Sequence, residues 1–312
     1  MCARDRGSYK LFINMTEDTP GLSTFHKVRE QCEQANAPAW RAFLTLYSPL
    51  GLHLLGMYSP DRAAAFELWG KTVQSLAENN FERFRATARQ SEREFLADVR
   101  ALLLDIVAQE DGAQEDGAQD DGLGDANGAG GKTPDGDANT ASKGIIDSER
   151  LATLLDGLPL LHQEMLWFKL AGYSDGSLEK MLRVAPRVAE AAFARLLPDW
   201  GAALKIEQDR CPWPEDWLAL LRQARTAKKE SCPELHLILR VHDGQVSWYD
   251  KEPVEKHVSG CVCCLERWTA LREVGYWRRV APAVSPAQIE DWLRMLPLRA
   301  EEKKSLLRRV FG

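Results

Sequence analysis

Apolar residues recur at three- and four-residue intervals along most of this chain, and nowhere do they alternate in the period of two that a half-buried strand requires. Trp40, Phe43, Leu44 and Tyr47 make one such series, and Phe66, Trp69, Val73 and Leu76 a second. In SEREFLADVRALLLDIV, Ser91 with Glu94 three residues on is a capping-box signature. Phe95, Val99, Leu102, Leu103 and Ile106 form the stripe behind it. After a tail over 1–21, residues 22–108 are therefore expected to form a helical unit. A second unit is expected over 148–200. Its helices are about 148–156, LPLLHQEMLWFKLAG ending at Gly172, SLEKMLRV, and VAEAAFARLL after Pro186. Short turns between them predict a helix-turn-helix arrangement. A third unit, 211–274, opens with a helix after Pro214. Ser285-Pro286 with Gln288 starts a last helix within 285–312, which ends in a basic cluster, Lys303, Lys304, Arg308 and Arg309. The predicted fold class is all-α.

Residues 109–147 break the pattern. QEDGA, QEDGA and QDDG follow one another, and the stretch has little apolar residue to bury, so an acidic disordered tether is expected. Within 109–142, nine acidic residues stand against Lys132 alone, while the whole chain carries a net charge of −6. The remaining parts are thus close to neutral, which argues against a globally basic nucleic-acid binder. MCARDRGSYKLF has no apolar signal region, and no run approaches the length needed to cross a bilayer. Seven unevenly spread cysteines do not read as a disulfide framework. A cytoplasmic protein with no membrane contact is expected.

The chemistry concentrates near the C-terminal end. Cys232, His257, Cys261 and Cys264 follow the spacing C-x24-H-x3-C-x2-C. If residues 255–268 form one helix, His257, Cys261 and Cys264 share a face, and Cys232 completes a tetrahedron from outside it. A Cys3His set suits a closed structural zinc site. The alternative is a group of buried thiols without metal. Cys263 falls off the ligand face and is either a redox thiol or a small core residue. His236 and His242 are possible substitute ligands that fit the spacing worse than Cys232. His26, His53 and His162 are isolated, and Cys211 has no partner at ligand spacing. No phosphate loop, nucleotide fingerprint or nucleophile elbow is present, and a closed metal site leaves no position for a reacting water. No enzyme and no small-molecule substrate are expected.

The order of these parts resembles a two-domain bacterial sigma factor of the extracytoplasmic-function group, followed by a zinc-binding anti-sigma domain. AWRAFLTLYSPLGLHLL and FELWGKTVQSLAENNFERFR look like helices of the domain that binds core RNA polymerase. In the second unit, Leu158-Pro159, Glu164, Leu170, Gly172, Ser174, Leu178, Leu182 and Val184 sit where the promoter-reading pattern expects them. The zinc spacing is nearly that of the anti-sigma domain. The resemblance covers residues 37–108 and 148–268. It implies a transcription initiation factor that binds core RNA polymerase and promoter DNA, with a zinc unit able to act on the sigma-like units in cis.

Candidate DNA contacts are Lys71, Arg83, Arg85, Arg89, Arg93 and Arg100 in the first unit, and Arg183, Arg187 and Arg195 in the second. Arg89, Arg93 and Arg100 repeat at four and seven, one helical stripe that with Phe81 and Phe84 can hold single-stranded DNA. The competing reading is an ordinary solvated stripe with its aromatics in the core. Two departures from the family stand out. VAEAAFARLL is poor in basic residues, and Glu179 occupies the packed turn where a small residue is expected. They favour an alternative in which a degenerate sigma fold serves as a soluble adaptor or anti-sigma factor. A cytoplasmic thiol and zinc redox sensor is the third reading.

Overall fold

The structure is a computed structural model, and it describes residues 25–58, 61–86, 90–117, 148–204 and 214–298. Among the described residues there are thirteen α-helices and no strand, as the patterning predicts. None of these helices is long and apolar enough to cross a membrane. The chain forms two compact units whose boundaries cut through helices.

The first unit comprises Met1–Ser48, Val73–Glu92 and Ala283–Gly312. It holds α1 (Phe25–Glu33), the start of α2 (Ala37–Tyr58), the end of α3 (Arg62–Ala86) and α13 (Pro286–Met295). Its core is aromatic. Trp40 lies 5.3 Å from Phe43, 5.9 Å from Phe81 and 5.2 Å from Phe84 between ring centroids. Trp40 Nε1 donates to the Cys32 carbonyl at 3.0 Å. Phe81 and Phe84 are thus core residues, which removes them as platforms for stacked bases. Helix α3 is two helical runs separated by a kink at Glu78–Phe81, where Asn79, Asn80 and Phe81 take φ of 50°, 55° and 61°. Asparagine tolerates the left-handed region, and the aromatic cluster holds Phe81 there. At α13 the expected start is found in full. The Ser285 hydroxyl accepts the Gln288 N–H, and the Gln288 side chain accepts from the Ser285 N–H. The helix ends at Met295, and the basic cluster lies outside the described residues.

The second unit comprises Pro49–Thr72 and Arg93–Pro282. It contains α4 (Glu92–Gly117) from Arg93 on, α5 (Ser148–Leu155), α6 (Leu160–Leu170), α7 (Asp175–Leu182) and α8 (Pro186–Leu204). These are followed by α9 (Pro214–Thr226), α10 (Leu235–His242), α11 (Trp248–Ser259) and α12 (Val262–Val280). Helix α4 runs on through Gly117, into the segment expected to be unstructured. Gln, Glu and Ala are good helix formers, so an already nucleated helix extends through them. The rest of that segment, 118–147, lies outside the described residues.

Helices α5 to α8 follow the predicted four. Gly172 at φ 84° turns the chain after α6, and the Ser174 hydroxyl caps α7 by accepting the Ser177 N–H. Helix α12 is the centre of the unit. Eleven residues between Val262 and Val274 are buried, and it packs on α5, α6, α7, α9, α10 and α11. A helix covered on all sides needs partners for every polar group it carries, and those partners build the site.

Candidate metal centre

The continuous helix expected over 255–268 is absent. Helix α11 ends at Ser259, Gly260 has φ −106° and ψ 6°, and Cys261 is extended at φ −138° and ψ 110° before α12 begins. His257 therefore comes from the last turn of one helix, Cys261 from the break, and Cys264 from the first turn of the next. The break still brings the three together. Cys232 approaches from the turn before α10, where its own N–H donates to the Lys229 carbonyl at 3.0 Å.

The four ligand atoms, from Cys232, His257, Cys261 and Cys264, all lie within 4.8 Å of one another and could hold a metal ion. Cys232 Sγ and Cys261 Sγ are 3.8 Å apart. A tetrahedral ion with bonds of about 2.3 Å to sulfur requires sulfur–sulfur edges of about 3.8 Å. That distance is far too long for a disulfide, and all four cysteines of the region are free.

The surroundings fit an ion as well. The Lys229 backbone N–H donates to Cys232 Sγ at 3.2 Å, which fixes the sulfur on the cluster. His257 Nε2 is buried with no hydrogen-bond partner. Hydrogen bonds, first from Cys264 and then from Cys232 and His257, hold the Cys261 thiol far below the usual range, at about 4. The neighbouring thiols push Cys264 up correspondingly. A cluster that gathers thiolate character and an unsatisfied imidazole nitrogen in one small space is suited to a soft divalent cation. Gln163 of α6 supports the break from outside. Its side-chain amide donates to the carbonyls of Leu155 at 3.0 Å, Leu158 at 3.0 Å and Ser259 at 2.9 Å.

Cys263 is 1% exposed, with its thiol directed to the Arg225 carbonyl of α9 at 3.9 Å. His236 is exposed and lies outside the cluster, as does His242.

Immediately after the thiols, α12 carries charge in both directions. Glu266 and Glu273 lie seven positions apart on one face, and both accept from Arg100 of α4, Glu266 Oε1 from Nη1 at 2.7 Å and Glu273 Oε2 from Nε. Tyr173 donates its hydroxyl to the other Glu273 oxygen. Trp268 and Arg272 lie on the opposite face, at about 100° per residue. There Trp268 Nε1 donates to Glu164 of α6 at 2.7 Å, and Arg272 forms an ion pair with the same carboxylate. Burial pushes the Glu164 carboxyl up, against the pull of Arg272 and Trp268.

The candidate DNA contacts divide accordingly. Arg100 is 4% exposed and sits between two carboxylates. Arg93 donates to Asp243 and, at 2.7 Å, to the Leu271 carbonyl. Lys71 pairs with Glu110 at 2.7 Å. Arg83, Arg85, Arg183, Arg187 and Arg195 are exposed, and Arg89 lies outside the described residues. Glu266 and Glu273, which hold Arg100, and Arg272, which holds Glu164, had no sequence signal that set them apart from the other charged residues of α12, Arg267, Arg278 and Arg279.

Comparison of the chain with protein-family models, with curated proteins and with solved structures finds no match. The fold and site define an all-helical chain with a Cys3His centre able to hold a metal ion.

Proposed function

We propose that the chain is a transcription initiation factor of the sigma type, restrained in cis by its own C-terminal zinc region. The reading joins the sequence resemblance to one observation. Arg100, on the helix expected to track promoter DNA, is buried between Glu266 and Glu273 of the helix that begins at the metal centre. Arg93 is engaged from the same side by Asp243. An arginine held by two buried carboxylates is not available to a phosphate, so the contact works as a restraint. Glu164 and Tyr173, from the promoter-reading unit, are engaged by the same helix.

Zinc is the ion this donor set favours, since three thiols and an imidazole select a soft or borderline cation in a tetrahedral site. Four protein donors leave no place for a water, so an ion held there would be structural and would offer no open position for a reacting group. Cys232, His257, Cys261 and Cys264 hold the break before α12 and, through it, the carboxylates that engage Arg100. The partners are core RNA polymerase and promoter DNA, which places the chain in the cytoplasm.

A second reading has support of its own. The outward face of α8 carries Val188, Glu190, Ala191 and Ala194 with only Arg187 and Arg195. That face suits protein docking better than base recognition, and favours an adaptor or anti-sigma role. A thiol sensor would need Cys263 accessible, and its burial counts against that.

The test is binding of purified core RNA polymerase to the full chain and to residues 1–204, with circular dichroism to establish that the shorter chain keeps its helices. Tighter binding of the shorter chain is the expected result, by tenfold or more if the tethered contact acts near millimolar effective concentration. Equal binding would remove the restraint. No binding by either folded form would favour the adaptor, which should also show no salt-sensitive association with promoter DNA.

A further inference from the structure

Beyond the metal centre, the second unit contains a cavity of about 480 Å³ bounded by α4, the turn between α7 and α8, the end of α10, and the second half of α12. Four arginines line it, Arg93, Arg183, Arg272 and Arg279, together with His242 and a single carboxylate, Asp243. Nothing in the metal centre or the Arg100 contact accounts for this gathering. Its members come from positions 93 to 279 and meet only through the fold.

Two buried nitrogens lack partners here. The His242 side chain is 9% exposed, and its Nε2 has no hydrogen bond. Arg93 Nε is likewise buried and unsatisfied, although the rest of its guanidinium is engaged. A buried donor without an acceptor is costly, and the Arg93 Nε–H in a cavity lined by three further arginines marks a place where an acceptor-rich group belongs. Arg183 adds a separate indication. It caps α7 in the left-handed region at φ 56°, where glycine would sit without strain. An arginine at that position, with its side chain on the cavity, carries a backbone strain that glycine would not. Gly275 completes the arrangement. A Cβ at that position would stand 3.0 Å from Arg93 Nε, so the missing side chain lets the guanidinium lie against α12.

We propose that this cavity binds a small phosphorylated molecule, whose phosphate oxygens accept from Arg93, Arg183 and Arg279. Arginine presents planar, multiple donors matched to phosphate, and the volume is that of a small-molecule pocket. A concave site formed from four helices suits a compact anion better than the continuous backbone of a duplex. The ligand would join α4 and the α7–α8 turn to α10 and α12, and so would bear on how firmly the C-terminal region holds the rest of the unit. The binding itself stands independently of the sigma reading.

The experiment is isothermal titration of the full, metal-loaded chain with inorganic pyrophosphate, with metal content measured before and after. Saturable one-site binding is expected, weakened roughly tenfold or more in Arg279→Ala and in Arg183→Gly, each removing a charge-assisted donor. Arg183→Gly is the decisive variant, because relief of the strained backbone should raise Tm while the anion binds less well. Inorganic phosphate that binds as tightly as pyrophosphate would narrow the ligand to a single phosphate group and keep the site. Absence of binding at millimolar pyrophosphate would overturn the proposal, as would affinity unchanged in both variants. Binding of duplex DNA without pyrophosphate would overturn it in favour of a nucleic-acid surface.

Discussion

Helix α12 does two different things along its length. Its first turn gathers sulfur. Cys264 meets Cys261, Cys232 and His257 in a cluster whose four ligand atoms all lie within 4.8 Å of one another and could hold a metal ion. Its next two turns gather charge, with Glu266 and Glu273 on Arg100 and with Arg272 and Trp268 on Glu164. The thiol end is gathered into one small centre that could hold a metal ion. The charged stretch is tied by pairs to helices far away in sequence. The first is a fastening with one strong element, and the second is a set of separate pairs, each of which is costly to halve but nearly neutral to replace whole. With an ion in the Cys3His centre, a helix held this way would be rigid at its first turn and adjustable where the arginines lie.

The largest effect should come from the metal. Structural zinc contributes free energy on the order of 10 kcal/mol in small metal-organised folds. Cys264→Ser is expected to reduce bound metal below one ion per chain and to loosen α11 and α12 first. Metal analysis together with hydrogen exchange resolved by segment checks this. Full metal content in the variant would break the ligand assignment.

Arg100 is next. Arg100→Ala leaves Glu266 and Glu273 buried without their cation, and should cost about 3–5 kcal/mol in denaturant unfolding. Replacing Arg100, Glu266 and Glu273 together by apolar residues of similar volume should regain most of that. A single substitution that costs little would show that water reaches the pair, and the contrast with the metal end would then lose its basis.

The pattern of charges and sulfur was unequally legible in the sequence. His257, Cys261 and Cys264 lie within eight positions, so their spacing alone announces a site. The interruption at Gly260 was not visible, because i, i+4 and i+7 fit one helix as well as two helices around a break. Arg93 and Arg100 show a stripe, but a stripe does not say which way it faces. The partners of Arg100 lie 166 and 173 residues away, and the nearby Glu92 and Glu94 gave no hint of them. The four helices after the linker and the Ser285 capping box were legible because their signals are local. The left-handed run in α3 had a signal, the pair Asn79-Asn80, that periodicity passes over.

His242 tests the adjustable stretch by pH. Burial, with Arg272 and Arg93 nearby, pulls its pKa from 6.5 to about 4, against the opposing pull of Asp243. Its folded value is depressed, so the unfolded chain binds the proton first. The neutral ring's contribution is complete above pH 6.5 and is lost as pH falls through the window to about 4. The loss is about 3 kcal/mol at most. Unfolding of the full chain and of His242→Gln should be compared across this range. The variant should be less acid-sensitive, since the carboxylates that titrate there are common to both. Parallel curves would mean that His242 meets water in the folded state.

Gly275→Ala is the smallest effect and the sharpest probe of the contrast. Alanine in a helix interior is favoured over glycine by about 1 kcal/mol. The new Cβ would meet Arg93 at 3.0 Å from Nε, 3.2 Å from Nη2 and 3.3 Å from Cζ. These atoms end a flexible side chain that is part-exposed, so they can retreat by a few tenths of an ångström. The retreat strains the bond to the Leu271 carbonyl and the pair with Asp243. The two terms are of similar size and opposite sign, so the unfolding free energy should stay within about 1 kcal/mol of the parent. Pyrophosphate affinity should nevertheless fall, because the guanidinium no longer lies where it faces the cavity. A loss of several kcal/mol would instead make Arg93 as rigidly placed as the thiols, and the charged half of α12 would then be no more adjustable than its metal end.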